Sequence, residues 1–390
     1  MAMANTCDVI IIGAGIAGVS TAFHLSQRGC RVVVLEKKFV AAEATGRSSG
    51  LVRMHYDLEA ESRLAWASFD YFRNWQERVG GECGFTRTGF LQIVDPAHNE
   101  QLRANVAMHQ RIGIPSLLVT ADDVKRLAPD FVTDDFELAA YEPESGYADP
   151  GSTAASLMTA ARERGARLIQ DCRVSQIKTS GGRVIGVETD RGSFDAPVVL
   201  NAAGAWAAEI GHMVGVKPPI DTWWHEVAFI RRPPAIPPHP TVIDDSLSLY
   251  FRPETGGLTL VALEDNSQFG KSADSDTNYV APDFVERAVE RLCQRVPGMD
   301  AGSLKTAYSG CDGITPDQRA ILDQAGPDGF YIACGFSGTG FKLGPAVGAC
   351  MAELILDGQA STVDISPFTL RRFETGKLLR GEHAYQTLWR

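Results

Sequence analysis

The apolar positions of this chain begin as short unbroken runs and later change to alternating and helical patterns. Val9–Ile12 and Val32–Leu35 are four-residue apolar runs, as in parallel strands covered on both faces. Between them lies Gly13-Ala14-Gly15-Ile16-Ala17-Gly18; the residues that follow, through Gln27, read as a helix capped by Gly29. Residues 7–36 are therefore expected to form a strand–turn–helix–strand unit.

Beyond it, residues 59–78 carry Trp66, Phe69, Phe72 and Trp75 at helical spacing, which predicts a helix with an aromatic core face. Residues 85–94 and 136–142 read as strands, and Asn99–Arg111 as an amphipathic helix stopped by Gly113 and Pro115. Thr120 is placed to cap a short helix through Leu127, and Asp149-Pro150 to open another over 151–164. Arg167–Ile169 and 197–201 read as strands, and 173–179 and Arg183–Thr189 as arms around Gly181-Gly182. Antiparallel patterning returns at 223–231, 248–252 and Leu258–Leu263, then a helix at Phe284–Arg295. Last come a strand at 331–334, a glycine-rich loop at 335–342 and a helix over 345–357. The expected fold is α/β, with a Rossmann-like domain from 1–84, 145–220 and 310–390. An antiparallel-sheet domain from 85–144 and 221–309 is inserted in it.

The chain has 390 residues and a net charge of −11, with no basic run, which argues against a nucleic-acid surface. No apolar stretch reaches the length of a membrane span, and the N-terminus lacks a basic leader. Eight cysteines are scattered without CxxC or His/Cys metal spacing. That composition implies a reduced, cytoplasmic compartment and no metal centre.

The chemistry begins at the first turn. Gly13 permits a tight bend, Gly15 lets backbone approach a pyrophosphate, and Gly18 lets helix and strand pack closely. The helix N-terminus presents N–H groups to phosphates, and Glu36, at the end of the second strand, can accept from ribose hydroxyls. This unit predicts dinucleotide binding without choosing between NAD and FAD. Residues 41–56, AAEATGRSSGLVRMHY, are small apart from two arginines, so this stretch can serve either as a surface loop or as backbone laid along a planar ring. Ala203 and Gly204 lie in a second strand-to-helix turn, and the loop at 335–342 precedes a helix whose dipole could stabilise negative charge on a reduced ring.

Four ordered motifs, GAGIAG with Glu36, ATGRSSGLVRMHY, NAAGAWA, and GITPD followed by YIACGFSGTGFKLGPAVG, are similar to those of the D-amino-acid-oxidase-like flavoproteins. Within that family the chain most resembles the sarcosine oxidase and dye-linked proline dehydrogenase branch. The resemblance implies non-covalent FAD and oxidation of the C–N bond of a secondary or N-methylated amino acid. Hydride passes to flavin N5, and the imine product hydrolyses. It implies cofactor contacts from Gly13 to Gly18, Glu36, Lys37, Thr45, Gly46, Arg47, Ser48, Ser49, Gly50, Leu51, Val174, Ala203, Gly204, Trp206, Gly310, Gly338, Thr339, Gly340, Phe341 and Lys342. Arg53 and Lys342 fall on the two cations that hold the substrate carboxylate, and Tyr250 on a roof-sheet tyrosine facing the substrate.

Three departures from the family pattern matter. Thr259 stands where relatives place an oxygen-activating lysine, which favours an acceptor other than oxygen, or a flavin subunit working with heteromeric partners. Cys311 lies one position away from a flavin-tethering cysteine. Asp312 replaces a tyrosine and is either a turn cap or a carboxylate selecting a cationic substrate. His55 is a candidate base by its proximity to Arg53 alone.

Overall fold

The structure is a computed structural model and describes residues 6–264 and 268–385. A six-stranded sheet runs in the order 321–324, 330–334, 198–201, 9–12, 32–35, 167–169, parallel except for the 321–324 edge. The first three elements are Val9–Ile12, a helix over Ile16–Gln27, and Val32–Leu35. Both strands are buried at every position, as their unbroken apolar runs require. Strands drawn from 198–201 and 330–334 complete the sheet, so its core is assembled from three distant parts of the chain.

The second large sheet has nine strands. Strands 90–93, 117–120 and 138–142 join those from 221–314 through a parallel pair between Phe90–Ile93 and Thr241–Asp244. Its two faces are chemically distinct. Ala228, Ile230, Val242, Phe251 and Val261 pack under the helix Phe284–Arg295. Val227, Ile243, Tyr250, Leu260 and Ala262 turn the other way, toward Leu51. This period-two division decides which residues can reach a ligand lying between the sheets.

Local rules fix several boundaries. Thr120 and Asp123 form a reciprocal capping box on Ala121–Leu127, and Asp149 Oδ1 accepts from Ser152 N at 2.6 Å to start Pro150–Glu163. The predicted helix over 59–78 is two helices, Glu59–Arg73 and Trp75–Arg78, divided at Asn74.

A larger correction concerns the C-terminal helix. It runs Gly340–Asp357 and contains Pro345, so Gly340, Phe341 and Lys342 form its first turn rather than the end of a loop. Proline removes one ladder donor. The interruption is bridged by Ser68, whose hydroxyl donates to Leu343 O and accepts from Ala346 N, both at 2.9 Å. A Cβ on Gly344 would lie 2.3 Å from Ile16 Cγ1, and one on Gly348 2.1 Å from Ser20 Oγ. Those glycines allow this helix to press directly on the first one. All eight cysteines are free, and among the described residues no helix is long and apolar enough to cross a membrane and no metal-ligating cluster occurs.

Candidate functional site

A long cleft separates the parallel sheet from the nine-stranded roof. Its floor at one end is the first turn. Gly13 has φ +107°, and a Cβ there would lie 2.5 Å from Ala202 O. Gly15 is the N-cap of the first helix and offers no side-chain cap, leaving backbone N–H groups directed at the cleft. Thr45 Oγ1 accepts from Ile16 N at 3.0 Å, and Glu36 accepts from Ala14 N and Lys38 N, each at 2.8 Å. The glutamate is thereby held rigidly with lone pairs to spare for a sugar hydroxyl. These features, a cradle that a side chain would fill and a helix terminus whose N-cap residue is glycine, fit the pyrophosphate and ribose of a dinucleotide.

Gly13, Gly15, Ile16, Ala17, Glu36 and Lys37 line this end, together with Val174, Ala203, Gly204 and Trp206. Lys37 Nζ lies 3.2 Å from the Trp206 ring centre, and both residues bond Asp274, so the roof is tied to the floor here. Thr45, Arg47, Ser48, Ser49 and Leu51 line the middle, facing Tyr250 and Gly310. A Cβ on Gly310 would lie 3.0 Å from Arg47 Cβ, which explains the small residue at that strand position.

Gly338, Gly340, Phe341 and Lys342 also line the cleft, together with Cys311 and Asp312. Asp312 Oδ1 accepts from Gly313 N at 2.8 Å and Oδ2 from Gly338 N at 2.6 Å; Ser337 N donates to Gly313 O at 3.1 Å. The GITPD and GFSGTG motifs are thus two halves of one bonded turn. Burial raises the Asp312 carboxyl above its usual range, while both backbone bonds oppose that shift. Both oxygens are engaged, which makes Asp312 a turn anchor. Asp312→Asn is expected to lower Tm by several degrees, through loss of a charge-assisted acceptor worth about 1.5–3 kcal/mol, and to leave the ranking of basic and neutral substrates unchanged. Thermal unfolding and a substrate panel on that variant check it.

Lys342 Nζ donates to Gly338 O at 3.2 Å and is nearly inaccessible. Burial, then the charge of Arg53, depress its pKa well below the ordinary lysine value. Burial and Asp312 push the Cys311 thiol up to about 12, so it is a poor source of the thiolate that a covalent tether needs.

Several expected site residues lie off the cleft wall. Ala14, Gly18, Gly46, Gly50 and Thr339 shape it from behind; a Cβ on Gly18 would sit 2.0 Å from Gly13 O, and one on Gly46 2.2 Å from Ala41 O. Arg53 is also outside the lining: its guanidinium donates to His55 O and stacks 4.3 Å from the Tyr56 ring. His55 is fully buried; its Nε2 bonds Tyr385 Oη at 2.9 Å, and burial, His109 and Arg53 hold it neutral. It is not among the residues that line the cleft.

Thr259 pairs with Ile230, bonds His239 Nε2 at 3.0 Å and by strand alternation faces the helix-covered side of the roof rather than the cleft. Sequence reasoning missed His225, Val227 and Ile243, which line the roof. Their period-two spacing was the available signal. Burial holds His225 near a pKa of about 3, giving a neutral imidazole.

A parallel-sheet dinucleotide floor under an antiparallel roof defines a class of nucleotide-dependent oxidoreductases. Residues 8–354 match the FAD dependent oxidoreductase (DAO) family, and the chain belongs to that family, with FAD as its cofactor. It is 29% identical to mitochondrial sarcosine dehydrogenase from Homo sapiens over 95% of its own length and 42% of that protein, so it spans less than half of that relative. The solved structure of L-proline dehydrogenase from P. horikoshii superposes with a TM-score of 0.89 at 26% identity, covering 97% of this chain and 100% of that one. Glycine oxidase from Geobacillus kaustophilus gives 0.83 at 25% identity, covering 94% and 99%.

Proposed function

We propose that this chain oxidises the C–N bond of an amino acid, with a secondary or N-methylated amine as the preferred donor. The single observation that carries the reading is Lys342, a buried lysine with a depressed pKa among the residues that line the cleft. Relatives named for sarcosine and proline support it. FAD in the cleft supplies the hydride acceptor.

In this reading Lys342 takes the substrate carboxylate and fixes the α-carbon, removing orientational freedom before the chemical step. Tyr250 and His225 close the site from above, and the buried roof excludes water from the reacting carbon. Arg53 acts from behind the wall as a second positive charge rather than as a direct ligand. The eight free cysteines favour a reducing compartment such as the cytoplasm. Whether oxygen, another carrier or a partner subunit takes the electrons is tested by turnover of the isolated chain.

The testing experiment is anaerobic addition of sarcosine, proline, other N-methyl amino acids and primary amino acids to the flavin-loaded protein. Bleaching of the oxidised flavin band by the secondary amines is expected; a band that no amino acid bleaches overturns the reading. Readmitting air, or adding an artificial acceptor, then separates oxidase from dehydrogenase behaviour.

A pH prediction follows from the two cations. Lys342 is charged below its depressed pKa and neutral above it, so carboxylate binding should fail as pH rises through that value. Removing the Arg53 charge relieves part of the depression. Arg53→Met is therefore expected to move the alkaline limb of kcat/KM to higher pH, with a raised KM. An unmoved limb would show that the two charges are not coupled.

A further inference from the structure

The contact between Lys37 and Trp206 stands across the dinucleotide cradle. Val32–Leu35 and Val198–Asn201 each pair in parallel with Val9–Ile12, one on either side of it. Their C-terminal ends are therefore two strand spacings apart, about 10 Å, and the turn from Gly13 to Gly18 leaves the sheet between them. Lys37 follows the first of these strands, and Trp206 ends the short turn Gly204–Trp206 that follows the second. Both line the cleft, and the Lys37 ammonium lies 3.2 Å from the Trp206 ring centre. A long side chain and a large ring thus span the gap over the turn that cradles the pyrophosphate.

A third residue joins them from the roof. Asp274 Oδ1 accepts from Lys37 Nζ at 3.3 Å and from Trp206 Nε1 at 3.1 Å. The turn that carries it is pinned to roof strands on both sides. Lys271 O accepts from Thr222 Oγ1 at 2.6 Å and from Trp224 Nε1 at 3.2 Å, and Thr277 O accepts from Ser309 N at 2.9 Å. Ser309 directly precedes Gly310 and Cys311, which line the cleft, so this turn stands at the cleft's edge. One carboxylate oxygen therefore serves two donors from opposite sides of the cradle. Lys37 on the indole face is a cation on a ring, and Asp274 adds the counter-charge and fixes the indole through its N–H.

We propose that Asp274 is a positioning residue for the cofactor: with Lys37 and Trp206 it forms a clasp that closes over FAD at the cradle and must open before the dinucleotide can leave. The inference holds whichever amine the protein oxidises. Asp274 is not among the residues that line the cleft, and its side chain is 62% exposed, so it acts through Lys37 and Trp206 rather than by touching the cofactor. The exposure also sets the size of the effect. An accessible ion pair is weak and screened by salt, so the clasp slows release without preventing it. Opening requires only that the bonds to one carboxylate and the ring contact be broken, with no rearrangement of either sheet.

The test is the rate of FAD release from the loaded full chain, followed by the rise of flavin fluorescence on dilution, at low and high salt. Asp274→Ala is expected to speed release about three- to tenfold at low salt and to leave the far-UV circular dichroism unchanged. In the wild type, added salt should bring release toward the rate of that variant, whose own rate should respond less. A double-mutant cycle assigns the effect to the clasp: beside Lys37→Met, Asp274→Ala should add less than about twofold. Asp274→Asn keeps an acceptor for the Trp206 N–H and loses the charge; it is expected to fall between wild type and Asp274→Ala, and serves where the alanine variant folds poorly. Release unchanged in both Asp274 variants, or an Asp274→Ala effect undiminished beside Lys37→Met, overturns the clasp.

Discussion

Replacing Lys342 by methionine should abolish amino-acid oxidation while the protein keeps its fold and its yellow flavin. The side chain is nearly inaccessible, its ammonium makes a 3.2 Å bond to Gly338 O, and burial disfavours its charge. Removing a desolvated cation relieves a penalty, and methionine fills similar volume, so stability should be unchanged or higher. Binding and orientation of the carboxylate are lost together. A fall of about 10²-fold or more in kcat/KM is expected, since even a misplacement of about 1 Å can cost that much. Stopped-flow flavin reduction against thermal unfolding separates the two effects. Normal reduction in a stable variant would remove Lys342 from the site, whereas a loss of both activity and Tm would make it a structural residue only.

The second large effect is expected at Gly13→Ala. At φ +107° an L-residue is strained by about 1–3 kcal/mol, and its methyl would lie 2.5 Å from the carbonyl of Ala202 on the neighbouring strand segment. Neither contact is with a flexible side-chain end, so the turn must move, and with it the N–H of Gly15. FAD affinity is expected to fall at least tenfold, giving mostly apoprotein after purification. The flavin-to-protein absorbance ratio and fluorescence titration with FAD measure this directly. A fully loaded Gly13→Ala protein would mean that the cradle does not hold the pyrophosphate. Gly204, whose added Cβ would meet nothing within 4 Å, is the contrasting position: its φ of +55° alone disfavours substitution.

The same contrast explains which parts of the molecule were readable along the chain. Val9–Ile12, the helix through Gln27 and Val32–Leu35 are local: run length, glycine spacing and a cap specify them without help from distant residues. So are Asn99–Arg111, the Thr120 capping box and Phe284–Arg295. The start of the C-terminal helix was misread because Pro345 is a local stop signal, and the group that overrides it, Ser68, lies on another helix. The position of His55 off the cleft wall was not readable for a related reason. Spacing along the chain does not decide which groups pack on a ring, and here Tyr385 and His109 claim it.

By itself the sequence determined the dinucleotide cradle, the family, and the presence of a lysine after the last glycine loop, because each depends on residue types at fixed short spacings. Only the tertiary structure decided which residues share a surface. Register between Phe90–Ile93 and Thr241–Asp244, more than a hundred residues apart, places Gln92 beside Ile243, and strand parity sends Thr259 away from the cleft. A shift of one residue would exchange those faces, and nothing in the local pattern of either strand specifies the pairing across that distance.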